Sequence, residues 1–289
     1  MNAVSSDAAG RLVLVGTPIG NLDDLAPRAV QALDAAALVC CEDTRRTGRL
    51  LQHAGIRAAA LRVVNDHTEA TALAEVVARL ERGEVVAVVS DAGMPGISDP
   101  GERLVAAAVG TGAVIEVVPG PSALVTALVG SGLPAGRFVF EGFLPRKGSG
   151  RTARVAEVAA ERRTVVLYEA PHRLARTLTD LAGACGGSRR VVLARELTKL
   201  HEETWRGILA EAVDHVAEVA PRGEHVLVLE GAPPPPEPTD DAIVAALDAA
   251  TSTGVSTRDA VAKVVAELGV AKRRAYQLAT GDRRSGPGR

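Results

Sequence analysis

The 289-residue sequence has few aromatic residues, few cysteines and few lysines, and each shortage excludes a class of site. Aromatic residues make up only 2% of the chain, which excludes a surface that binds RNA by stacking bases on exposed rings. The three cysteines, with Cys40 and Cys41 adjacent and Cys185 distant, match neither a disulfide framework nor a zinc-binding spacing. Lysine supplies only four of the 33 basic residues, so each retained lysine is a candidate for a specific role.

The sequence also lacks long hydrophobic runs and a strong net charge. Apolar runs such as residues 85–89 are far shorter than the roughly 20 residues that a membrane-spanning helix needs. The net charge is -2, so any contact with nucleic acid must be local. The first ten residues have neither the basic cluster nor the apolar core of a signal peptide, and we therefore expect a cytoplasmic protein.

Short β-rich runs alternate with longer helical patterns as far as residue 230, which predicts an α/β fold. The strand runs are continuously apolar instead of alternating, which indicates a sheet covered on both faces. A chain of this length exceeds what one compact core usually organises, and the strands suffice for two sheets. We therefore predict two α/β domains, residues 1–118 and 119–232, with a boundary near residues 119–121.

The C-terminal part of the chain has a different composition. Residues 233–238 are rich in proline and predict a stiff linker, and residues 239–289 contain three short helical patterns, which predict a helical RNA-binding tail. Six basic residues face one acid between residues 270 and 289, a local charge of +5 that is typical of a phosphate-binding patch and equally of a solvated tail. The basic residues are Lys272, Arg273, Arg274, Arg283, Arg284 and Arg289.

Three loops rich in glycine and proline each follow a predicted strand, at residues 16–22, 90–101 and 119–122. Ligands of open α/β sheets bind beyond the carboxyl ends of the strands, so we expect all three loops at one crevice. Glycine lets the backbone approach a ligand closely, and proline fixes the shape of the loop. A short loop of this kind is also typical of a plain turn, so the long middle loop carries most of the prediction.

The crevice does not match a polyphosphate ligand, because the chain has no Walker lysine motif and no G-x-G-x-x-G fingerprint. The long loop carries two acids, Asp91 and Asp99, and carboxylates favour a cationic or hydroxyl-bearing ligand. S-adenosylmethionine has a sulfonium, an amino-acid end and ribose hydroxyls, and its methyl transfer needs no metal. We therefore predict it as the cofactor.

Seven ordered segments carry a resemblance to a known family: residues 16–22, 42–45, 90–101, 119–123, 141–145, 168–173 and 195–199. Together they resemble the ribosomal RNA small subunit methyltransferase I family of tetrapyrrole-methylase-type S-adenosylmethionine enzymes. The resemblance implies two α/β domains of tetrapyrrole-methylase type with a cofactor cleft between them, and a small C-terminal helical domain. It also implies a homodimer and 2'-O-methylation of a cytidine in the decoding region of 16S ribosomal RNA. One departure is Met94, where the family's long loop has a threonine.

The three loops and the resemblance together give the predicted cofactor site. The loops supply most of its residues, and the segment at residues 168–173 supplies the others. The predicted cofactor-binding residues are Pro18, Gly20, Ser90, Asp91, Ala92, Gly93, Gly96, Ser98, Asp99, Pro119, Gly120, Ser122, Tyr168 and Ala170.

Methyl transfer to a ribose hydroxyl requires an aligned acceptor oxygen and a base for its proton. Lys199 is the favoured candidate, because a partly desolvated lysine can lose its proton whereas an arginine cannot. Next to Glu196, it could equally form a surface salt bridge. Glu42 and Asp43 are further catalytic candidates, although Asp43 could simply cap the helix that follows it.

Basic residues after the predicted strand at residues 137–143 indicate an RNA clamp, with a solvated loop as the alternative. Gly148 and Gly150 predict that this stretch is a flexible loop. Arg45 is a further candidate for steering RNA phosphate. The predicted RNA-binding residues are Arg45, Arg146, Lys147, Arg151 and Arg154, with Lys272, Arg273 and Arg274 of the tail.

Three functions remain open from these observations. The leading one is a methyltransferase that acts on ribosomal RNA. A second keeps the cofactor and methylates a tetrapyrrole or another small molecule, which would need neither the helical tail nor the basic segment. A third is a ribosome assembly factor that binds RNA without catalysis.

Overall fold

The computed structural model describes residues 9–57, 60–65, 68–99, 101–234, 236–252 and 254–281. The chain forms two compact units, one that extends to Ala232 and one that begins at Pro233. Across these described ranges, no helix has both the length and the apolar composition to cross a membrane.

The first unit contains a parallel sheet of five strands in the order β3-β2-β4-β1-β5. Its strands are β1 (Arg11–Val15), β2 (Leu38–Cys41), β3 (Leu61–Val63), β4 (Val85–Val88) and β5 (Val114–Val118). The helices that accompany them are α1 (Pro27–Asp34), α2 (Thr44–His53), α3 (Glu69–Glu81) and α4 (Glu102–Gly110).

Successive residues of these strands pack into two different core clusters. Leu12 and Leu14 of β1 lie in one cluster, and Val13 and Val15 lie in the other. Both faces of the sheet are therefore covered, as the continuous apolar runs predict. Cys40 and Cys41 of β2 are buried in the same two clusters, and burial raises the pKa of Cys40 to about 12.

The order of the strands creates a crevice between β2 and β4. The chain leaves β2 toward β3 on one side and leaves β4 toward β5 on the other side. Loops that diverge in this way open a space above the carboxyl ends of the two strands, which is the usual ligand position in such sheets.

The same unit contains a second sheet of mixed direction, in the order β6-β7-β10-β8-β9. Its strands are β6 (Phe138–Phe143), β7 (Thr164–Glu169), β8 (Arg190–Arg195), β9 (Glu203–Ile208) and β10 (His225–Leu229). Its helices are α5 (Ala123–Ser131), α6 (Ser149–Ala160), α7 (Pro171–Cys185) and α8 (Leu209–Glu218). Strand β10 runs antiparallel to β7 and β8, and His225 pairs with Glu169 and with Arg195. The start of β10 therefore lies beside the ends of both neighbours.

The two sheets share core contacts within this unit. Helix α5 follows the first sheet in the chain but packs against β7 and β10 of the second. Ile19, from the loop after β1, is buried in the same cluster as Ala127 and Leu128 of α5. The loop after β1 therefore ties the first sheet to the second, and a division into separate domains at residue 118 stays a prediction.

The second unit is a group of three helices, as the sequence predicts: α9 (Asp240–Thr251), α10 (Thr257–Leu268) and α11 (Lys272–Ala279). A small core that includes Ile243, Val264 and Ala275 holds them together. Ser256 caps α10 by accepting a hydrogen bond from the Asp259 amide at 3.2 Å. Three arginines of the predicted basic patch, Arg283, Arg284 and Arg289, lie outside the described residues.

Two strands and one helix start differ from the sequence-based expectation. Strand β3 has only three residues, and β9 is an edge strand with no buried residue, so neither forms an apolar run. The prediction of a flexible loop through residue 154 was wrong beyond Gly148, since α6 begins at Ser149. Arg151 holds the first turn of that helix in place through the contacts described below.

Candidate functional site

The three glycine-rich loops meet above the first sheet. The Thr17 amide donates to the Gly93 carbonyl at 2.9 Å, and the Gly93 amide donates to the Thr17 hydroxyl at 3.2 Å. A Cβ on Gly16 would lie 2.6 Å from the Gly120 nitrogen, so these two turns touch backbone to backbone. The predicted convergence of the loops is therefore present.

A cleft, called here the inner cleft, opens between these loops and the adjoining edge of the second sheet. It has a volume of about 230 Å³ and opens to solvent, so a ligand can enter it. The first sheet contributes Glu42, Arg46 and the long loop, and the second contributes Tyr168, Glu169, Glu224 and His225.

Carboxylates dominate the charge of the inner cleft. Burial, together with the nearby carboxylates of Glu42 and Asp91, raises the pKa of Asp99 to about 7. Burial also raises the pKa of Glu42. The cationic side chain that lines the cleft, Arg46, lies 3.3 Å from Asp91. The cleft therefore has a surplus of negative charge that a cationic ligand would neutralise.

Two hydrogen bonds hold the acidic groups of the cleft in position. The Asp91 amide donates to Glu42 at 3.0 Å, and the Asp43 amide donates to Asp91 at 3.2 Å. These bonds join the loop after β2 to the loop after β4, so the carboxylates sit on a fixed frame.

Aromatic rings form one wall of the inner cleft. The ring of Tyr168 lies 5.0 Å from Phe140 and 5.7 Å from Phe143, measured between centroids. The Leu124 amide donates to the Tyr168 hydroxyl at 3.2 Å, which fixes the ring from the other end. Tyr168 and Phe143 both line the cleft, and they offer a flat ligand an apolar surface.

A second opening, called here the outer groove, adjoins the inner cleft and shares Ile19, Arg46, Asp91, Ala92 and Glu224 with it. Lys199 and Glu196 line this groove, with the Lys199 nitrogen 3.0 Å from a Glu196 oxygen.

The turn that carries Lys199 and Glu196 packs onto the loop after β1. The Asn21 amide donates to the Thr198 hydroxyl at 3.0 Å. A Cβ at position 20 would overlap the Lys199 side chain, so this packing requires glycine at position 20. The loop after β8 thus closes over the loop after β1.

Backbone strain is concentrated on the site loops. Among the described residues, the non-glycine residues with positive φ are Ser98 at 61°, Glu196 at 50° and Thr198 at 65°. Such conformations persist where the surrounding structure enforces them, and they cluster at functional sites. All three lie on loops that border the cleft or the groove.

The predicted cofactor residues fall into three groups. Those that line the inner cleft are Asp91, Ala92, Gly93, Ser98, Asp99, Ser122 and Tyr168. Those that line the outer groove only are Pro18, Gly20 and Ser90. Four others, Gly96, Pro119, Gly120 and Ala170, line neither opening and belong to the turns that support the site. Their role in binding stays a prediction.

The predicted catalytic residues are divided in the same way. Glu42 lines the inner cleft, and Glu196 and Lys199 line the outer groove. Asp43 lines neither opening, because its carboxylate caps α2 by accepting from the Arg45 amide at 2.8 Å. Hydrogen bonds from the Arg45 side chain lower the pKa of Asp43 to about 2. The structure shows the capping role of Asp43, and a catalytic role for it stays a prediction.

The predicted RNA-binding residues are exposed with one clear exception. Arg146 and Lys147 are exposed, and Arg154 is half-exposed and paired with Glu141 and Glu157. Arg151 is 4% exposed and lies in the first turn of α6, so it is not part of an open loop, and its role in RNA binding stays a prediction.

Two of the remaining RNA candidates are in ion pairs. Arg45 is exposed but bound to Asp43 at 2.9 Å. In the second unit, Lys272 and Arg273 are exposed, whereas Arg274 bonds to Asp240 at 2.8 Å. Lys272 and Arg273 are therefore the side chains of α11 that are best placed to reach a phosphate.

Glu224 and His225 line the inner cleft and were missed by the sequence analysis. The rule that ligands bind at the carboxyl ends of strands does not find Glu224 and His225, because these residues lie at the start of β10. Knowing that β10 is antiparallel to its neighbours would have placed them at the site, but an apolar run does not reveal its direction. Burial lowers the pKa of His225, whose Nδ1 lies 3.1 Å from the Gly223 carbonyl.

Comparison with known sequences finds one family repeatedly. Residues 11–213 match the family model described as Tetrapyrrole (Corrin/Porphyrin) Methylases. A Synechocystis protein named ribosomal RNA small subunit methyltransferase I is 44% identical over 93% of this chain and 97% of its own length. Proteins of the same name from Mycobacterium tuberculosis and Pseudomonas aeruginosa are 44% and 49% identical, over 96% and 78% of this chain and 97% and 80% of their own lengths.

Solved structures of the same fold are more distant in sequence. A uroporphyrin-III-C-methyltransferase from Thermus thermophilus superposes with a TM-score of 0.56 and 24% identity, over 76% of this chain and 94% of that one. The methyltransferase CobJ gives a TM-score of 0.61 and 20% identity, over 78% and 95% of the two chains. A uroporphyrin-III C-methyltransferase from Thermus thermophilus in complex with S-adenyl homocysteine gives 0.54 and 17%, over 76% and 97%.

Proposed function

This chain belongs to the ribosomal RNA small subunit methyltransferase I family, within the tetrapyrrole methylases, and from that premise we propose that it methylates the 2'-hydroxyl of a cytidine in the decoding region of 16S ribosomal RNA. The enzyme is a methyltransferase that uses S-adenosylmethionine. The observation that carries the proposal is the surplus of partly buried carboxylates where three glycine-rich loops meet. Its substrate also makes the cytoplasm the proposed place of action.

The residues of the inner cleft fit this cofactor. When bound, S-adenosylmethionine supplies an electrophilic methyl group on a positively charged sulfur. Glu42, Asp91 and Asp99 offer the negative charge that a sulfonium and an amino group require, and the raised pKa of Asp99 marks a carboxyl that lacks a neutralising cation.

The backbone of the long loop also suits a closely held ligand. Gly93 has φ of +96°, and a Cβ there would lie 3.3 Å from Ile19 and 3.4 Å from the Pro121 carbonyl. A larger residue would be strained and crowded, so the main chain can approach a ligand only with glycine at this position.

The outer groove is the proposed entrance for the ribose. It meets the inner cleft at residues that include Ile19 and Glu224, so a sugar bound in the groove would reach the end of the cofactor. Lys199 and Glu196 form an ion pair there, which moves the role of the base from the favoured Lys199 to its partner. The Glu196 carboxylate takes the hydroxyl proton, and the Lys199 ammonium stabilises the negative charge that develops on the oxygen. The oxygen then forms a bond to the methyl carbon as the carbon–sulfur bond breaks.

The proposed reaction is tested by labelled methyl transfer. The purified protein is incubated with radiolabelled S-adenosylmethionine and small ribosomal subunits that lack the modification, in parallel with a uroporphyrinogen acceptor. We expect label in 2'-O-methylcytidine after digestion of the ribosomal RNA to nucleosides. Label in the tetrapyrrole, or in neither acceptor, would contradict the proposal.

A homodimer is proposed from the apolar residues that β5 and α5 leave exposed. Val114 and Val117 of the edge strand β5 are 50% and 48% exposed, and Val125 and Val129 of α5 are 49% and 70% exposed. Exposed apolar groups on an edge strand and a neighbouring helix are typical of a protein interface. Light scattering should give the mass of a dimer for the wild type and of a monomer for Val129→Arg. A monomeric wild type would contradict this part of the proposal.

A further inference from the structure

A cavity lined by basic side chains lies at the starts of α6 and α7, outside the inner cleft and the outer groove. It measures about 330 Å³ and is called here the arginine pocket. Its lining residues are Arg146, Arg151, His172, Arg173 and Arg176. The sequence predicts RNA binding for Arg146 and Arg151 but no function for Arg173 and Arg176.

Two of the arginines are fixed by the protein itself. Arg151 is buried and donates to Asp180 at 2.7 Å, to Thr177 at 3.0 Å and to the Pro145 carbonyl at 3.1 Å. Arg173 lies 3.0 Å from a Glu169 oxygen. The pocket therefore has a rigid inner side.

The other cationic groups of the pocket face solvent. Arg146 and His172 are exposed, and the side chain of Arg176 is 63% exposed with its Nε 3.8 Å from Asp180. Their outward ends are free to meet a ligand.

The charges of the pocket do not balance. Four guanidinium groups line it, whereas two carboxylates, those of Glu169 and Asp180, form ion pairs with them. A surplus of two positive charges remains. The amino ends of α6 and α7 add to it, since the first turns of helices attract anions.

The pocket adjoins both openings of the site. Glu169, which lines the inner cleft, is the ion-pair partner of Arg173 in the pocket. Pro171 lines the outer groove and directly precedes His172, which lines the pocket. The segment from Glu169 to Arg173 therefore borders all three openings, which places an anion in the pocket beside the wall of the groove.

We infer that the arginine pocket binds a backbone phosphate of the RNA strand beside the nucleotide whose ribose is methylated. This inference rests on the proposed function, because an RNA chain is the substrate that brings a phosphodiester and a ribose hydroxyl to adjacent positions. Arginine is suited to the task, since its planar group donates two hydrogen bonds to a phosphate. The contact carries no sequence information and serves to position the strand.

The test compares a double variant with a matched control. Arg146→Gln combined with Arg176→Gln removes the two exposed guanidinium groups. Arg190→Gln removes a comparably exposed arginine, 54% accessible and paired with Glu230, at the start of β8 and so at the opposite end of the strand from the cleft. Affinity for small ribosomal subunits is measured over a series of salt concentrations, and affinity for S-adenosylmethionine is measured by calorimetry.

We expect the double variant to bind subunits about tenfold more weakly at low salt, with a slope of log affinity against log salt that is smaller by about 0.7 for each lost phosphate contact. The control should match the wild type, and cofactor affinity should be unchanged in all three proteins. A double variant with the same slope and affinity as the control would overturn the inference.

A titration with inorganic phosphate separates the two sources of the anion. Loss of inorganic phosphate binding in the double variant with an unchanged RNA slope would assign the pocket to a free anion and overturn the inference. Failure of the proposed function has a different signature, because the wild type would then transfer no label to the subunits. A smaller slope of log affinity against log salt in the double variant supports phosphate binding by the pocket, whether or not label is transferred.

Discussion

The inner cleft and the arginine pocket lie on opposite sides of Glu169 and have opposite charge. The cleft concentrates carboxylates, and burial raises the pKa of Asp99 among them to about 7. The pocket concentrates guanidinium groups, and its buried member, Arg151, is neutralised by Asp180. The comparison teaches that, under the proposed function, the two ligands of one reaction, a cationic methyl donor and a polyanionic strand, are sorted by charge.

Glu169 separates the two regions because it is fully engaged. One of its oxygens lies 3.0 Å from Arg173, and the other accepts from the Thr177 hydroxyl at 2.6 Å. It therefore neutralises the pocket side of the boundary and leaves the surplus charge of the cleft to Glu42, Asp91 and Asp99.

The largest expected effect comes from the residues at the junction of the two ligands. Lys199→Met combined with Glu196→Gln should slow single-turnover methyl transfer about 1000-fold, because the pair removes the proton and stabilises the oxyanion. Affinities for cofactor and subunits should stay within twofold of the wild type, roughly the error of such measurements. Glu161→Gln with Arg163→Met removes a comparable ion pair, 2.7 Å long, away from the site and should keep full rate. A full rate in the first variant would refute the catalytic assignment.

The buried and exposed members of the arginine pocket should differ in their effect on stability. Arg151→Gln should lower the free energy of unfolding by about 3 kcal/mol, because it removes the buried hydrogen bonds that Arg151 donates to Asp180 and Thr177. Arg146→Gln should change it by less than about 0.5 kcal/mol. Urea titration measures both. Equal effects would show that Arg151 does not have a structural role.

The acidic cleft should bind its cofactor in a pH-dependent manner. Asp99, surrounded by Glu42, Asp91 and Glu224, has a pKa of about 7, so its carboxyl becomes negative as the pH rises from 6 to 8. Affinity for the cationic cofactor should rise over this interval, and Asp99→Asn should remove the rise and weaken binding about tenfold at pH 8. Calorimetry with Asp34→Asn as control measures this. A wild-type affinity that falls over the interval would contradict the assignment.

The smallest expected effect is on stability in the absence of cofactor. The folded protein keeps a proton on Asp99 between its ordinary pKa of 3.8 and about 7, where the unfolded chain has lost it. The contribution of Asp99 to stability therefore falls as the pH rises through this window. Denaturation at pH 5 and pH 8 should show a larger loss of stability for the wild type than for Asp99→Asn. An equal loss in both proteins would show that Asp99 titrates normally.

The parallel half of the fold could be predicted from the sequence, and the mixed half could not. In the first sheet, apolar runs followed by glycine loops place Asp91 and Asp99 at the crevice, because every strand points the same way. In the second sheet, β10 reverses direction, so Glu224 and His225 reach the cleft from the start of a strand. Local sequence contains no signal for that reversal.

The side-chain partners were also beyond prediction from sequence. Arg151 lies in a basic stretch, which predicts that it binds RNA. It is buried because it bonds to Asp180 and Thr177, which lie far along the chain. Asp43, by contrast, precedes a helix, and the sequence did offer its capping role as an alternative. A local role can be inferred from neighbours in sequence, whereas a role that depends on distant partners requires the fold.

The most direct test of sorting by charge measures two affinities in two variants. Asp99→Asn, and the combination of Arg146→Gln with Arg176→Gln, are each titrated with S-adenosylmethionine at pH 8 and with small ribosomal subunits at low salt. The account predicts that the first variant loses affinity for the cofactor alone and that the second loses affinity for the subunits alone. Loss of both affinities in either variant, or the reverse assignment, would contradict it.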